Sequence, residues 1–519
     1  MRRLSLSIAM LATTAMTAPV QAQDYPIVDA PLELSIHMHW PRAQGYGVGG
    51  DTSKIYPVEE AARAATNIHL IDETFGKNTK DSGEAMNLLI ASGNMPDIVG
   101  GHLIKQPVNE FGPQGAFQPL NDLVDEHAPN IKKFWEDNPG LKEAIAAYDG
   151  NYYYIPYLPD GKYGRAYFIR QDWLDALGLE QPDTVDELYE VLTAFRNNDP
   201  NGNGMKDEVP FFARNWEEAI RLVTLWDARS SGSDTFHDFY VKDGAVVHPY
   251  AEDAYRDALA NVAQWYEEGL IDPEVFTRGS SAREYLLSEN LGGMTHDWFA
   301  STSGYNVALE GKVEGFNFIP FLPPASPSGR RLEEHRRIPI KPDGWAISHT
   351  NENPVETIKY MDFWFSEQGS LLANFGIEGE QYEIVDGEPV YKDSVLASGD
   401  PVNAQMWAVG SQIQRGYPQD YRYEWQWTRD SARRGIELYD QYDLLVDQFL
   451  GVAFTKDEQA IYDRHWPSIR TYMLERQQAW VLGSGDIKAD WDDYVETLND
   501  MGLQDVLEVM NAAYKRQYG

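Results

Sequence analysis

The sequence predicts an α/β fold, and three features near the start of the chain support this prediction. Residues 32–38 alternate between apolar and polar side chains, which is typical of a half-buried strand. Ile98 and Val99 form a short apolar run that is typical of a buried strand. Residues 58–66 and 84–91, which lie between these strands, have helical periodicity. The order strand, helix, strand is characteristic of α/β domains.

Further along, the chain is predicted to be rich in helices. Thr184 and Glu187 have the spacing of a capping box, and apolar residues then recur on one helical face up to Phe195. Apolar stripes also run through residues 255–270 and 491–514. By contrast, segment 322–341 is rich in Pro, Ser and charged residues, so we expect a long exposed loop there.

The first residues have the features of a signal peptide. Arg2 and Arg3 precede an apolar stretch over residues 4–18, and small residues at positions 20 and 22 predict cleavage after Ala22. The alternative is a membrane anchor. The apolar stretch is too short for that role, because a spanning helix needs roughly 20 apolar residues. We therefore assign residues 1–22 to a cleaved signal peptide.

The absence of cysteine excludes several kinds of chemical site and limits where the protein is expected in the cell. The chain has no Cys, so disulfides, thiolate metal sites and a cysteine nucleophile are excluded. An N-terminal lipid attached through a cysteine is excluded for the same reason. A cleaved chain without a lipid anchor is expected in the periplasm of a bacterium with two membranes.

Charge and aromatic content bear on the class of ligand. The chain has 43 Lys plus Arg against 81 Asp plus Glu, for a formal net charge of −38. Nucleic acid is excluded as a partner on this basis, because its binding depends on many cationic contacts to phosphate. A local arginine cluster can still bind a small anionic ligand. The 15 Trp and 30 Tyr residues either fill the core or line a sugar site, where flat amphipathic rings pack against pyranose faces.

Residues 199–208 resemble the first part of an EF-hand calcium loop. Oxygen side chains occupy positions 1, 3, 5 and 9, Gly204 is at position 6, and the residue at position 7 offers its carbonyl oxygen. Glu208 at position 10 replaces the usual Glu at position 12, which is Pro210 here. The alternative is an ordinary turn rich in Asn and Gly. We predict a structural calcium ion, with the ligands Asp199, Asn201, Asn203, Met205, Asp207 and Glu208.

No catalytic motif is evident, and no catalytic residue is assigned. The sequence has no His-Glu-x-x-His, phosphate-binding glycine loop, Gly-x-Ser-x-Gly or dinucleotide fingerprint. A secreted polysaccharide lyase or hydrolase is the alternative function. It would need an acid and a base close to the scissile bond.

Several longer stretches resemble the family 1 extracellular solute-binding proteins, which serve ABC importers for sugars. These stretches are residues 91–97, 149–156, 168–174 and 341–347, together with the pattern Trp491-x-x-Tyr494. Within that family the chain is similar to the periplasmic alginate-binding proteins. That likeness is carried by residues 35–39, 155–160, 199–208, 228–234, 291–301 and 421–427.

The resemblance implies a type II periplasmic binding protein with two α/β lobes and a ligand cleft between them. Each lobe would be discontinuous: residues 23–156 with about 300–375 in the first lobe, and 157–about 299 with about 376–519 in the second. The implied function is a non-enzymatic, monomeric carrier that delivers an acidic oligosaccharide, in the first place alginate, to an inner-membrane ABC permease. Carriers for another acidic glycan, and carriers that signal to a chemoreceptor, fit the same sequence.

Carried over by position, the resemblance implies five sugar-contacting residues: Tyr157, Trp298, Ser301, Tyr423 and Trp427. For each ring the alternative is core packing. A uronate ligand also needs a cation, and arginine binds carboxylates in a bidentate manner. Arg337 is the first candidate for that contact, and Arg165 and Arg422 are second candidates. Segment 40–56 departs from the alginate binders, so recognition of a chain end is expected to differ there.

Overall fold

The computed structural model of the protein describes residues 25–39, 55–74, 79–233 and 236–519. The predicted signal peptide, residues 1–22, lies outside this described part, as does most of the divergent segment 40–56. Within the described residues, no helix is long and apolar enough to cross a bilayer.

Thirteen strands lie in the described part of the chain. They are β1 Leu32–His39, β2 Ile68–Asp72, β3 Ile98–Gly101, β4 Ile155–Pro156, β5 Arg165–Arg170, β6 Val209–Phe211, β7 Tyr240–Lys242, β8 Ala245–Val247, β9 Gly292–Trp298, β10 Phe318–Phe321, β11 Gly344–Ile347, β12 Tyr382–Val385 and β13 Glu388–Tyr391. They form two main sheets, in the orders β2-β1-β3-β11-β4 and β10-β5-β9-β6, and two hairpins, β7-β8 and β12-β13.

The helices of the described residues cover both sheets. They are α1 Pro57–Thr66, α2 Thr79–Ser92, α3 Lys105–Phe111, α4 Asn121–His127, α5 Pro129–Asp137, α6 Leu141–Ile145, α7 Gln171–Leu177, α8 Val185–Asn197, α9 Trp216–Ala219, α10 Asp253–Glu267, α11 Ala282–Ser288, α12 Phe299–Ser303, α13 Tyr305–Ala308, α14 Pro354–Phe363, α15 Glu367–Phe375, α16 Asp393–Leu396, α17 Val402–Val409, α18 Tyr421–Trp427, α19 Asp430–Tyr439, α20 Lys456–Val481, α21 Ile487–Asp500 and α22 Leu503–Tyr518. Two 3₁₀ helices span Ile220–Trp226 and Pro249–Ala251.

The first sheet follows the predicted α/β pattern. β1 pairs in parallel with β2 on one side and with β3 on the other, and α1 and α2 connect these strands. Leu34, Ile36 and Ile98 are fully buried beneath the helices. β1, β3 and both helices were predicted from the sequence. β2 was not predicted, because its five residues, 68–72, are few and include the polar side chains His69 and Asp72.

The second sheet has a mixed topology. β5 is antiparallel to both β9 and β10, whereas β6 is parallel to β9. In consequence, the carboxyl ends of β6 and β9 and the amino end of β5 meet at one edge of the sheet. This edge positions Trp298, the last residue of β9.

Local sequence signals explain several helix boundaries. The predicted capping box at α8 is present: the Thr184 hydroxyl accepts from the Glu187 amide, and the Glu187 side chain accepts from the Thr184 amide. α10 carries the predicted apolar stripe but ends at Glu267, before Leu270. The two predicted C-terminal stripes are α21 and α22, and Gly502 between them has φ 101°, a left-handed conformation that favours glycine.

Each main sheet has its own apolar core. Residues between 34 and 158 pack with residues 340–373 around the first sheet, and Ile413 and Tyr417 join them from a later segment. Residues 167–321 pack with residues 449–510 around the second sheet. The chain therefore passes between the sheets more than once, which makes both cores discontinuous in sequence. β10 lies in the second sheet and β11 in the first, and the lobe boundaries stay a prediction.

Segment 322–341 was expected to be a long exposed loop, and this expectation is wrong for most of its length, because Pro323, Pro324 and Ser326 are buried as well as much of the second half. Residues 327–330 are exposed, but Glu333, Glu334 and His335 are each only 1% exposed. Their charges are accommodated by partners far away in the sequence: Arg229 contacts Glu334 at 2.5 Å, and His296 on β9 contacts Glu333 at 2.9 Å. Composition alone did not reveal these partners, because they come from distant segments.

Candidate functional site

The first group of candidate ligand contacts surrounds Trp298, at the carboxyl end of β9. The ring is partly exposed, and the Arg165 guanidinium lies over it, 4.2 Å from the ring centroid. The two residues are register partners in the β5–β9 pairing, which fixes the stack. The position of this partly exposed ring is therefore set by the sheet rather than by a loop.

A cluster of charged side chains lies directly behind this ring. Asp297 accepts hydrogen bonds from Arg283 at 2.8 Å, from Arg214 at 3.1 Å and from Arg165 at 3.4 Å. Glu218 binds Arg214 at 2.5 Å and Arg165 at 3.2 Å. Burial raises the pKa of Glu218, but the neighbouring arginines outweigh that effect and lower the value to about 2. Three arginines therefore face two carboxylates, which leaves a local positive excess.

Ser301 belongs to the same group. It is exposed on α12, directly after β9, and its hydroxyl oxygen accepts from Arg283 at 3.1 Å. Arg283 also donates to Thr302 at 2.7 Å. Ser301 and Trp298 are thus linked to one charged cluster through Arg283 and Asp297.

The second group is built on α18. Tyr423 and Trp427 lie one turn apart, as the spacing of four predicted, with ring centroids 5.9 Å apart and planes at 70°. Tyr423 is only 4% exposed and also packs against Tyr391, whereas Trp427 is partly exposed. Trp427 is therefore the accessible ring of the pair, and Tyr423 supports it from the core.

Tyr157 lies close to this second group. It follows β4, is 4% exposed, and packs on Tyr417 with ring centroids 5.2 Å apart. Its amide donates to the Asp343 carbonyl at 2.8 Å, which joins the segment after β4 to the start of β11. Burial raises the pKa of the Tyr157 phenol well above its usual range, so the group remains a hydrogen-bond donor at neutral pH.

Arg337 is held by a carboxylate of the protein itself. It donates to both oxygens of Glu424, at 2.7 and 2.5 Å, and lies 5.2 Å from the centre of the Tyr421 ring. Burial lowers the pKa of Arg337, but Glu424 more than compensates and raises it overall. Arg422, one of the second candidates, is about half exposed and pairs with Asp420 and Glu388. Arg337 therefore connects its own segment to α18.

The structure thus brings the six predicted residues together in two sets. The first set consists of Tyr423 and Trp427 on α18, with Tyr157 and Arg337 close to that helix. The second set consists of Trp298 and Ser301 at the end of β9. The sequence analysis missed the charged residues behind Trp298: Glu218, Arg214, Arg283 and Asp297. Asp297 precedes Trp298 directly, Arg214 and Glu218 lie four residues apart in a second segment, and Arg283 comes from a third, so no local motif linked them to Trp298.

The loop 199–208 folds as a tight turn around its own oxygen atoms. The Asp199 carboxylate accepts from the amides of Asn203 at 3.0 Å and Gly204 at 2.8 Å, and Asn203 accepts from the Met205 amide at 2.7 Å. The Asn203 side-chain amide donates to Asp207 at 3.0 Å. Gly204 has φ 82°, the left-handed conformation required for the sharp turn. The side chains at positions 1, 3, 5 and 9 are thereby gathered in one loop.

Glu208 is the unusual member of this loop. It is only 5% exposed, and neither of its carboxylate oxygens has a hydrogen-bond partner among the described residues. Burial raises the pKa of this carboxyl. A buried carboxylate without a partner is costly, and a hard cation is one group that would satisfy it. The oxygen-rich donor set of the loop fits Ca²⁺.

Most of the chain is similar to known solute-binding proteins. Residues 56–370 match the family model for bacterial extracellular solute-binding proteins. The crystal structure of the alginate-binding protein AlgQ2 without calcium ion is 47% identical, with a TM-score of 0.81, and the match covers 95% of this chain and 100% of AlgQ2. The mixed α/β architecture matches the type II periplasmic binding protein fold of its structural neighbours.

Two further relatives are named for the carbohydrates that they bind. The fructooligosaccharide ABC transporter substrate-binding protein FusA of Streptococcus pneumoniae serotype 4 (strain ATCC BAA-334 / TIGR4) is 27% identical over an alignment of 535 residues, covering 98% of this chain and 96% of FusA. A FusA complex with kestose has a TM-score of 0.70 at 23% identity, covering 93% of this chain and 99% of FusA. The polygalacturonan/rhamnogalacturonan-binding protein YtcQ of Bacillus subtilis (strain 168) is 27% identical over 213 residues, 41% of each chain. The chain described here belongs to the bacterial extracellular solute-binding proteins and is a solute-binding protein of the kind that serves ABC transporters.

Proposed function

We propose that this protein binds an acidic oligosaccharide, an oligouronate of the alginate type, and delivers it to an ABC importer. The observation that carries the proposal is the 47% identity to an alginate-binding protein over 95% of the chain. YtcQ, a polygalacturonan/rhamnogalacturonan-binding protein, supports an acidic ligand independently. FusA supports the broader class of oligosaccharide binders.

The aromatic rings support a sugar ligand. Trp298 and Trp427 are both partly exposed, and each is fixed by its surroundings: Trp298 by the stack on Arg165, and Trp427 by Tyr423. A rigid ring loses little conformational entropy on binding, and its face matches the C–H face of a pyranose. We propose that these two rings carry the stacking contacts, with Tyr157, Ser301 and Tyr423 contributing polar groups and supporting them.

The arginines near Trp298 support an acidic sugar. In a chain with a net charge of −38, the cluster of Arg165, Arg214 and Arg283 against Asp297 and Glu218 is locally positive. Arginine binds carboxylates through a planar pair of donors. Arg337 is already bound by Glu424, so a ligand carboxylate at that position would have to share it with Glu424.

We further propose the following lobe division and working cycle. The first lobe contains β1–β4, β11, α14 and α15, and the second contains β5–β10 and α19–α22, with ligand bound between them. Ligand binding favours the closed form by its preference for that form over the open one, and the permease then recognises the closed shape. The protein acts as a monomer in the periplasm after removal of residues 1–22.

We propose Ca²⁺ as a structural ion in the loop 199–208. The ligands would be Asp199, Asn201, Asn203, Asp207, Glu208 and the carbonyl oxygen of Met205. The buried Glu208 carboxylate and the gathered oxygens of the loop support this assignment. Two similar structures are a calcium-free form of AlgQ2 and an EF-hand mutant of FusA.

The protein is proposed to bind sugar without chemical turnover. Isothermal titration calorimetry with unsaturated alginate oligosaccharides, in the presence of Ca²⁺, should give saturable binding at one site per chain. Ultraviolet absorbance and reducing-end content, followed over the same period, should stay constant. Product formation that Tyr157→Phe abolishes would instead indicate a lyase or hydrolase and contradict the proposal.

A further inference from the structure

A buried cluster outside the proposed sugar contacts and the calcium loop contains two histidines and a glutamate. His296 lies on β9, whereas Glu333 and His335 lie on the segment that connects the two sheets. The three side chains are 3%, 1% and 1% exposed. Among the described residues, it is the one group of three or more His, Asp or Glu whose potential ligand atoms converge in this way.

The distances in the cluster match those of a metal centre. One nitrogen from each imidazole and a Glu333 oxygen all lie within 4.8 Å of one another. His296 Nε2 is 2.9 Å from one Glu333 oxygen, and His335 Nδ1 is 3.7 Å from the other. A tetrahedral ion with bonds of about 2.0–2.2 Å separates its ligand atoms by about 3.4 Å, a value between the two. Small side-chain shifts would therefore suffice to admit an ion.

In each imidazole, the nitrogen turned away from Glu333 decides whether the other nitrogen can bind a metal ion. His335 Nε2 lies 3.1 Å from the Ser231 hydroxyl, which leaves Nδ1 facing Glu333. Ligating histidines usually hold the second ring nitrogen in this way. Nε2 of His296 donates to the Glu333 carboxylate at 2.9 Å, so without an ion this nitrogen carries the ring proton. Nδ1 of His296 has no hydrogen-bond partner among the described residues and can take up that proton, which gives Nε2 a lone pair towards Glu333 in the other neutral tautomer.

The donor set and the charge indicate which class of ion would bind. With neutral imidazoles the cluster has a charge of −1. Of the nearby cations, Arg165 and Arg229 are paired with carboxylates of their own, and the buried Arg221 is a further positive charge close to His335. Imidazole nitrogens suit Zn²⁺, Ni²⁺ and Cu²⁺, whereas Ca²⁺ prefers oxygen ligands alone. Two histidines and one glutamate are also a known ligand set for Zn²⁺ that leaves a further position for water.

We propose that His296, Glu333 and His335 form a second metal site, selective for Zn²⁺ and related transition metals over Ca²⁺. Its ligands join the connecting segment to the centre of the second sheet. A bound ion would therefore fix the segment that leads from β10 to β11, where the two lobes are connected. The site is separate in sequence and in chemistry from the oxygen-rich loop 199–208.

The test uses Co²⁺ as a spectroscopic substitute for Zn²⁺. The purified protein is treated with a chelator, saturated with excess Ca²⁺ to fill any oxygen site, and titrated with Co²⁺. We expect one Co²⁺ per chain, visible d–d absorption bands typical of a low-coordinate site with nitrogen ligands, and displacement by Zn²⁺. The melting temperature should rise when the site is filled.

Three variants assign the binding to the cluster. His296→Gln and His335→Gln each remove one ligand and should weaken Co²⁺ binding by about 100-fold or more, while Gln preserves volume and hydrogen bonding. Ser231→Ala keeps all three ligands and should weaken binding by about 10-fold, as loss of an outer contact usually does. His349→Gln, an exposed histidine near the first sheet, is the matched control and should leave binding unchanged. Circular dichroism establishes that each variant is folded.

The possible results of these titrations distinguish a metal site at the cluster from binding elsewhere and from no binding. Stoichiometric binding that both ligand variants lose, and that Asp199→Asn retains, supports the second site. Absence of Co²⁺ and Zn²⁺ binding by the folded parent protein would overturn the proposal and leave the cluster as a hydrogen-bonded network. Bands that persist in His296→Gln and His335→Gln would overturn it as well, because the ion would then lie elsewhere.

Discussion

Trp298 and Trp427 are partly exposed, whereas Tyr157 and Tyr423 are each 4% exposed. This difference separates rings that can cover a sugar from rings that hold others in place. It follows that the two tryptophans should dominate ligand affinity, since a few aromatic anchors usually carry most of the binding free energy.

Trp298→Ala and Trp427→Ala should each weaken binding of an oligouronate by about 2 kcal/mol, or roughly 30-fold. The reason is loss of a fixed apolar face against a pyranose ring. Calorimetric titration of each variant measures the effect. Leu482→Ala is the control, because Leu482 is a large side chain that is 52% exposed beyond the end of α20. Affinities within about twofold of the parent protein for both tryptophan variants would contradict these assignments.

Arg337 is predicted to be important for stability as well as for binding. The Arg337 and Glu424 side chains are 17% and 12% exposed, so Arg337→Gln leaves a largely buried carboxylate without its partner. We expect the free energy of unfolding to fall by about 3 kcal/mol in urea titrations. Arg422→Gln, in which a half-exposed pair is lost, should cost less than about 1 kcal/mol. In the double variant Arg337→Gln/Glu424→Gln, part of the loss should be recovered, because no unpaired charge remains.

The position of a single residue could be predicted from the sequence where the motif that contains it is local. The spacing of Tyr423 and Trp427 correctly predicted a shared helix face. The partners of the arginines were beyond its reach, because Glu424 lies 87 residues from Arg337 and Asp297 lies 132 residues from Arg165. Contacts at such separations depend on how the sheets and connecting segments pack, and no local pattern encodes them.

At the scale of single elements, the loop 199–208 is defined by its sequence more completely than any other candidate site. The oxygen positions and Gly204 required the turn that the structure shows. The burial of Glu208 could not be read from the sequence, since it arises where the loop leads into β6 and the core of the second lobe. That burial makes the loop sensitive to its proposed ion.

Glu208→Gln should separate the cost of the buried charge from the benefit of Ca²⁺. In chelator, the variant should be more stable than the parent protein by about 1–3 kcal/mol, because a neutral amide replaces an unpartnered carboxylate. With excess Ca²⁺ the order should reverse, since only the parent protein retains the full ligand set. Thermal unfolding under both conditions measures this. A parent protein whose melting temperature is the same in Ca²⁺ and in chelator would contradict the calcium assignment.

The strands and helices were predicted where their patterns are strong and isolated. β1, β3, α8 and α22 have clear periodicity, and the structure confirms them. The expected exposed loop 322–341 was wrong because its charged residues are buried through ion pairs with the second lobe. Polar composition indicates a loop only when no partner is available, and a single sequence does not show the partners.

For the whole molecule, the packing between the cores of the two main sheets includes a partly buried lysine. Lys105 begins α3 beside the first sheet, and its ammonium donates to the Leu450 carbonyl at 3.0 Å and lies 5.4 Å from the centre of the Phe236 ring. Phe236 packs against the core of the second lobe. Burial lowers the pKa of Lys105 to about 8. The stability contributed by this contact should therefore depend on pH.

Lys105 should make stability rise with pH over a defined range. Its pKa is about 8 in the folded protein and near 10.5 when unfolded, so folding releases the proton between these values. The contribution is greatest above about 10.5 and is lost as pH falls towards 8. The difference in unfolding free energy between the parent protein and Lys105→Met should therefore grow between pH 8 and pH 10 in favour of the parent protein. A constant difference would contradict the assigned pKa.

The net charge of −38 predicts an unusual dependence on salt for an acidic ligand. Local arginines attract the ligand, whereas the protein as a whole repels it, and salt screens the longer-range repulsion more strongly. Affinity for an oligouronate should stay constant or rise modestly from low to moderate ionic strength in calorimetric titrations. A steep loss of affinity over this range would indicate a broad cationic groove, contrary to the charge distribution described above.

The central claim is that an acidic oligosaccharide binds at the aromatic and arginine-rich groups and leaves unchanged. Its most direct test is calorimetric titration of the Ca²⁺-saturated protein with an alginate oligosaccharide and with its carboxyl-reduced, neutral counterpart of the same length. We predict micromolar or tighter binding of the acidic sugar, weaker binding of the neutral one, and no product in either cell. Equal affinity for both sugars would remove the role of the arginines, and absence of binding to either would contradict the proposed ligand class.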